Sequence, residues 1–336
     1  MQIVYISIRP EILKGTLPYV MAYLPFIDEI IVVSPKHMFP DFRFSNDSIS
    51  LISEEEILGN DAERFRGSDH QSKNYLLRSK LVAHSAIGDD FIMSDDDARP
   101  LRPITIENYL NKGRYRAYYY YDLSAWRYGS SSFDVGQRNT YQVLKYYGLP
   151  CLSFASHMPQ VINRQLYLES VDRFESISRR YALCEWSTYF NYTMSNYPDL
   201  FHDPQPYATL CWPDGGRCWP KFVDPQTYLY ENVIPDMYEK GGPFEGIPVS
   251  FSPSEQEIWS ITKAIRWYRH LSDAQHFVRD GHAPSWHRAI TLSCLRRLRR
   301  VHQIVTWDDR SEIMTLRAEL AEIKRQLGNF GQNSNK

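Results

Sequence analysis

The stretch GDDFIMSDDDARP runs an apolar segment, Phe91 to Met93, straight into three adjacent carboxylates, Asp95, Asp96 and Asp97, before Pro100 stops it. Neighbouring carboxylates repel one another and desolvate poorly, so they either face water or share a cation. An oxygen-only donor set suits Mg2+ or Mn2+. In an extended segment alternate side chains share a side, so Asp95 and Asp97 can converge on one ligand while Asp96 points away. The plainer alternative is an acidic turn that caps the next helix. Upstream, GSDHQSKNYLLRSKL places Lys73 and Lys80 seven residues apart, on one helix face, with Arg78 on a different side and Arg66 in the loop before. Downstream, Glu185 in LCEWSTYFNY opens an aromatic helix and interrupts its apolar stripe, which predicts a buried or cleft-facing carboxylate.

These groups need a scaffold, and the first part of the chain supplies one. Short β-branched or aromatic runs predict strands at Gln2 to Ile8, Glu29 to Ser34, Ser48 to Ser53, Asp90 to Ser94 and Tyr115 to Leu123. Between them, helices are expected over Pro10 to Leu24, Gln71 to Ile87, Ile104 to Leu110 and Ser132 to Tyr147. The alternation predicts an α/β fold whose mostly parallel central sheet is flanked by helices. Open sheets of this kind bind ligands beyond the carboxyl ends of their strands, where the triplet would sit. No GxGxxG follows the first strand and no GxxxxGK[ST] occurs, which argues against a dinucleotide fold and a P-loop NTPase. From Cys151 to about Pro248 the chain is rich in Pro, Trp, Tyr and Gly, with one clear helix near Leu183 to Tyr197. Irregular segments of that kind, mounted on a sheet, commonly wall a substrate site.

With FIMSDDD closing a hydrophobic strand, and VYISIRPEILKGTLPYV followed by EIIVVSP as an opening β-α-β unit, the chain resembles the GT-A superfamily of nucleotide-sugar glycosyltransferases. The likeness covers roughly residues 1–220 and is nearer to bacterial surface-polysaccharide transferases than to the commonest inverting branch. It implies a GT-A-like catalytic domain over 1–250, with a nucleotide-sugar half (1–125) and an acceptor half (126–250). It also implies that Asp95 contacts the donor ribose or sugar and that Asp97 holds a Mn2+ or Mg2+ ion on the diphosphate, with Asp95 as a second metal ligand and Asp96 among the donor-binding residues. His157, in CLSFASHMPQVINRQ, is the candidate for a further metal ligand, against the plainer reading of a structural histidine. Arg66, Lys73 or Lys80 could meet the donor diphosphate, unless the helix face is simply solvated. Glu185 is the favoured acceptor-binding or base residue and Asp122, after Tyr118 to Tyr121, the second, although a helix-start Glu also suits the dipole. Trp212 and Trp219, beside Gly215 and Gly216, offer flat amphipathic rings for a sugar acceptor.

Composition limits the rest. The chain has 336 residues, 43% hydrophobic, 14% aromatic and 23% charged, with a net charge of -2, so it is globular and offers no general field for nucleic acid. No run of about 18 apolar residues could span a bilayer, and Met1 leads into a strand-like segment without signal-peptide features, so a cytoplasmic protein is expected. Five cysteines, Cys151, Cys184, Cys211, Cys218 and Cys294, match neither a disulfide framework nor a zinc pair. Beyond residue 250, a helical extension to 307 carries the basic amphipathic stretch Trp286 to Trp307. That stretch either lies on an anionic membrane surface, which would make the protein peripheral to the inner face, or docks on its own domain. A short coiled-coil-like helix over 308–328 could self-associate through Ser311 to Leu327, ahead of a disordered tail, 329–336. The leading reading is a metal-dependent hexosyltransferase acting on a glycan or glycolipid acceptor. Its rivals are a stealth-type sugar-phosphate transferase and a non-catalytic glycan-binding or assembly protein, and the intact triplet argues against the last.

Overall fold

The computed structural model describes residues 1–44, 48–124, 131–210, 228–234 and 237–249, together with Ser252, Glu255, Trp259, Thr262, Lys263 and Arg266. The chain divides into two units, Met1–Ala274 and Gln275–Lys336. Trp212, Trp219, the basic stretch 286–307 and the apolar repeat 311–327 lie outside the described residues.

The fold is α/β. Five strands form the central sheet: β1 (Gln2–Ile6), β2 (Glu29–Ser34), β3 (Ile49–Ser53), β4 (Asp90–Ser94) and β6 (Gln160–Asn163), in the order β6-β4-β1-β2-β3. Four run parallel and β6 is antiparallel to β4. Val4, Ile31, Val32, Val33, Phe91, Ile92, Val161 and Ile162 are fully buried. Strands covered on both faces read as continuous apolar runs, which is why these are visible in the sequence.

Helices α1 (Pro10–Tyr23), α2 (Glu54–Leu58), α3 (Ala62–Gly67), α4 (His70–Ala83), α5 (Ser132–Tyr146), α6 (Arg164–Ser178) and α7 (Glu185–Asn196) accompany the sheet. Several begin on a side-chain cap that satisfies otherwise unpaired amides. Asp69 accepts from the amides of Gln71 and Ser72 to start α4, and Asn163 accepts from Leu166 to start α6. A smaller sheet sits beside the triplet: β5 (Ala98–Pro100) pairs antiparallel with β7 (Tyr230–Asn232), and β7 pairs parallel with Thr209–Leu210.

Three local expectations need correction. Tyr115 to Leu123 is not one strand: Tyr118–Tyr119 pairs with Gln205–Pro206, while Tyr121–Asp122 pairs with Leu152–Ser153, so the ladder changes partner midway. The helix expected from Ile104 is a single 3-10 turn, Ile106–Asn108, closed by Thr105 and Asn108 capping each other. Residues 151–200 hold β6 and α6 as well as the one helix expected there.

Candidate functional site

In the sheet, β1 lies between β2 and β4, so the strand order reverses direction across the β1 and β4 pair. At such a reversal the flanking connections leave on opposite sides and open a crevice at the carboxyl ends of the strands. The two segments that emerge into it are Ser7–Arg9 after β1 and Asp95–Asp97 after β4. Asp96 turns inward and is 4% exposed. Ser7 Oγ donates to its Oδ2 at 2.6 Å and Arg9 Nε to the same oxygen at 3.1 Å, while Arg9 Nη2 bonds its Oδ1. The same Nη2 donates to Asp97 Oδ2 at 3.0 Å, and Asn232 Nδ2 donates to Asp97 Oδ1 at 3.0 Å. The Asp95 and Asp97 side chains keep 31% and 17% of their surface.

A second group of residues closes on Asp95 from α4 and α7. Gln71, Tyr75, Arg78 and Val82 recur at helical spacing along α4, and the two polar members, seven residues apart, reach the same partner. Gln71 Nε2 donates to Glu185 Oε2 at 3.0 Å and Arg78 Nη1 bonds Glu185 Oε1. Arg78 Nη2 then donates to Asp95 Oδ1 at 3.1 Å, and its guanidinium lies 4.9 Å from the Trp186 ring centroid. His157, in the left-handed region at φ 48°, brings Nδ1 to 3.5 Å from Asp95 Oδ2. Such a backbone is sparsely populated for a residue with a Cβ and recurs at functional sites. Burial acts to raise the Asp95 pKa, but the His157 bond and the Arg78 charge outweigh it and bring the carboxyl down to about 2. Reciprocally, burial acts to lower His157, and the Asp95 bond with the charges of Asp95 and Asp97 raises it instead.

The expected residues therefore sort into two sets. Asp95, Asp96, Asp97, His157 and Glu185 come together, joined by Arg9, Arg78, Gln71 and Asn232, none of which the sequence pattern alone marks for the site. Arg78 lies on a different face of α4 from the lysines, and that face is the one turned to the triplet. The lysine face points elsewhere: Lys80 pairs with Asp61 at 2.5 Å and Lys73 lies 5.5 Å from the Phe65 centroid. Arg66 is exposed and its Nε donates to Ala62 O of its own helix at 3.3 Å. Asp122 is exposed, with Oδ1 accepting from the Ser124 amide at 2.7 Å, an Asx-type turn contact. Glu185 is 2% exposed and both its oxygens are taken, an arrangement that suits a counter-ion of Arg78 better than a base reaching for an acceptor proton.

By donor chemistry, two carboxylates, an imidazole and the buried Asn232 Oδ1, which has no hydrogen-bond partner, suit Mg2+ or Mn2+. By arrangement, all four oxygens of Asp95 and Asp97 face protein groups, and among the described residues no three His, Cys, Asp or Glu side chains are gathered as a metal site. A cation and the protein's own positive groups would compete for the same oxygens.

No family model matches the chain, and no curated protein does. Among solved structures it is similar to the galactosyltransferase LgtC in complex with donor and acceptor sugar analogs, at 12% identity over 77% of this chain and 95% of that one, TM-score 0.40. It is likewise similar to an active-site mutant of LgtC, at 12% identity over 76% and 94%, TM-score 0.42. Apo mouse xyloside xylosyltransferase 1 is a further neighbour, at 11% identity over 62% and 87%, TM-score 0.37. Among the described residues no helix is long and apolar enough to cross a membrane.

Proposed function

We propose that the chain is a GT-A-like glycosyltransferase that moves a sugar, most simply a hexose, from a nucleotide diphosphate donor to a glycan or glycolipid acceptor. One observation carries this reading: Asp95 and Asp97 stand partly exposed at the reversal point between β1 and β4, ringed by Arg9, Arg78 and His157. Carboxylates there can accept hydrogen bonds from sugar and ribose hydroxyls, and the surrounding cations can meet a diphosphate. Transfer breaks the bond from the anomeric carbon to the diphosphate oxygen and forms one to the acceptor oxygen, so negative charge grows on the leaving group. Fixed positive groups aimed at that oxygen lower the barrier without reorganising.

In this reading Arg9 and Arg78 supply that charge, and Glu185 holds the Arg78 guanidinium in register against Asp95. Asp95, Asp97 and His157 are the groups that would hold Mg2+ or Mn2+, whose chemistry when bound is to neutralise the leaving diphosphate. The test is calorimetric titration of a panel of nucleoside diphosphates and their sugars, with and without Mn2+. At least one donor is expected to bind, and more tightly with Mn2+; a wild-type protein that binds none of the panel would overturn the reading.

A further inference from the structure

Beside the triplet lies a buried ionic cluster that the site chemistry does not use. Arg99 Nε donates to Glu231 Oε1 at 2.7 Å, Lys263 Nζ to the same oxygen at 2.8 Å, and Tyr238 OH to Glu231 Oε2 at 2.7 Å. Arg99 also donates to Tyr238 OH at 3.1 Å and to Val249 O at 2.6 Å. Glu231 and Lys263 are 0% exposed and Arg99 is 1% exposed. Lys263 Nζ stands 5.2 Å from the Tyr238 ring centroid, within cation-π range. Replacing a whole buried ion cluster with apolar groups is commonly neutral or stabilising, so net stability over an apolar core is weak ground for such a cluster, and a fixed geometry is the alternative.

The geometry it fixes is that of β7. Glu231 faces Arg99 in the register of β7 on β5, and the next pair along is Asn232 with Ala98. Successive side chains on a strand point to opposite faces, so Glu231 anchors one face while Asn232 presents its amide on the other. That amide donates to Asp97, and the adjoining Val233 amide donates to Asp97 O at 2.9 Å, so both the side chain and the backbone of Asp97 hang on β7.

We propose that Arg99, Glu231 and Lys263 form a positioning device for Asp97, acting through Asn232 on the same short strand. Docking of Lys263 on Glu231 then sets where the Asp97 carboxylate stands, and Asn232 is the positioning residue in contact with it. Arg266 likewise donates to Glu245 O at 2.6 Å. The consequence for donor binding rests on the reading of the triplet as a donor site, while the mechanical coupling does not.

Hydrogen–deuterium exchange on the full-length wild type, Lys263→Met, Lys263→Arg and Asn232→Ala separates the two. Peptides over 94–101 and 228–234 report the coupling, through the Leu101 amide bonded to Leu229 O at 2.8 Å and the Val233 amide on Asp97 O, and α6 serves as the internal reference. Lys263→Met and Asn232→Ala are expected to speed exchange in 94–101 at least fivefold with α6 unchanged, and Lys263→Arg to restore the wild-type rate. Wild-type exchange in 94–101 of Lys263→Met, or an equal rise everywhere including α6, would overturn the proposal. If Lys263→Met does not fold, Tyr238→Phe, which removes only the bridging hydroxyl, is read by the same criteria. In parallel, the nucleoside diphosphate panel with Mn2+ is titrated into each protein; a wild type that binds nothing defeats the donor reading and leaves the exchange result to stand alone.

Discussion

Within the triplet, Asp96 and Asp97 carry different burdens. Asp96 is the buried partner of Ser7 and Arg9, and removing it orphans groups that burial had desolvated. Asp97 keeps 17% of its surface, so its loss relieves like-charge repulsion but leaves the Asn232 amide without its partner. Asp96→Ala should therefore lower stability by roughly 1–3 kcal/mol, whereas Asp97→Ala should cost less stability than Asp96→Ala and lose most Mn2+-dependent nucleotide binding. Thermal unfolding and calorimetry on both variants check the split; equal stability losses with unchanged nucleotide affinity in Asp97→Ala would return the triplet to an acidic turn. The acidic cluster is legible in the sequence, but the alternation expected of it is not what forms: Asp96 and Asp97 lie in a turn closed by the Ala98 amide on Asp95 O at 3.2 Å, and Arg9 Nη2 contacts both of them. What Asp96 turns toward is not legible there, because Ser7 and Arg9 lie 89 and 87 residues earlier and only the parallel pairing of β1 with β4 brings them in.

Between elements, the existence of α4 is legible in the sequence, although it ends at Ala83 instead of near Ile87, and the roles of its faces are not. Lys73 and Lys80 share a face, and so do Gln71 and Arg78, but a pair of like charges is the more conspicuous pattern. The usable signal is that Gln71 and Arg78 share the buried face carrying Tyr75 and Val82, and polar groups on such a face demand partners. Helix α6 carries its own stripe, Leu166, Tyr167, Ser170 and Phe174, diluted by the charged residues around it. The contact of α4 with α7 also separates two roles for Glu185. As a base, Glu185→Gln would lower turnover alone; as the counter-ion of Arg78 it should weaken donor affinity and turnover together, each by about tenfold, a loss near 1.4 kcal/mol. Steady-state kinetics with donor KM and kcat resolved decide this, and Arg78→Lys should not rescue, since a point charge cannot bridge two carboxylates as a planar fork does.

For the whole molecule, acid is the condition that tests the buried charges. Burial opposes the Glu231 charge, but Arg99 and Lys263 overcome it and hold the carboxyl down at about 2, as His157 and Arg78 do for Asp95. Both groups have folded pKa values below their ordinary range, so the unfolded chain binds more protons and stability falls as pH drops. The loss should begin near pH 4.5 and run to about 2, with Glu231 alone worth on the order of 3 kcal/mol. Urea unfolding across pH 7 to 3 should show this slope in wild type and a flatter one in Glu231→Gln, which starts from a lower plateau because two cations are left buried.

The clamp on Asp97 also has a temporal side. Asn232 lies 135 residues after the carboxylate it holds, and at a synthesis rate of about 5–20 residues per second that interval lasts on the order of ten seconds. A nascent chain halted between the two already carries the residues of β1 to β4 and the triplet but lacks Asn232, the far-side partner of Asp97. If Lys263 pins β7 as proposed, the full set of contacts on Asp97 is complete only once the ribosome has delivered β7 and Lys263.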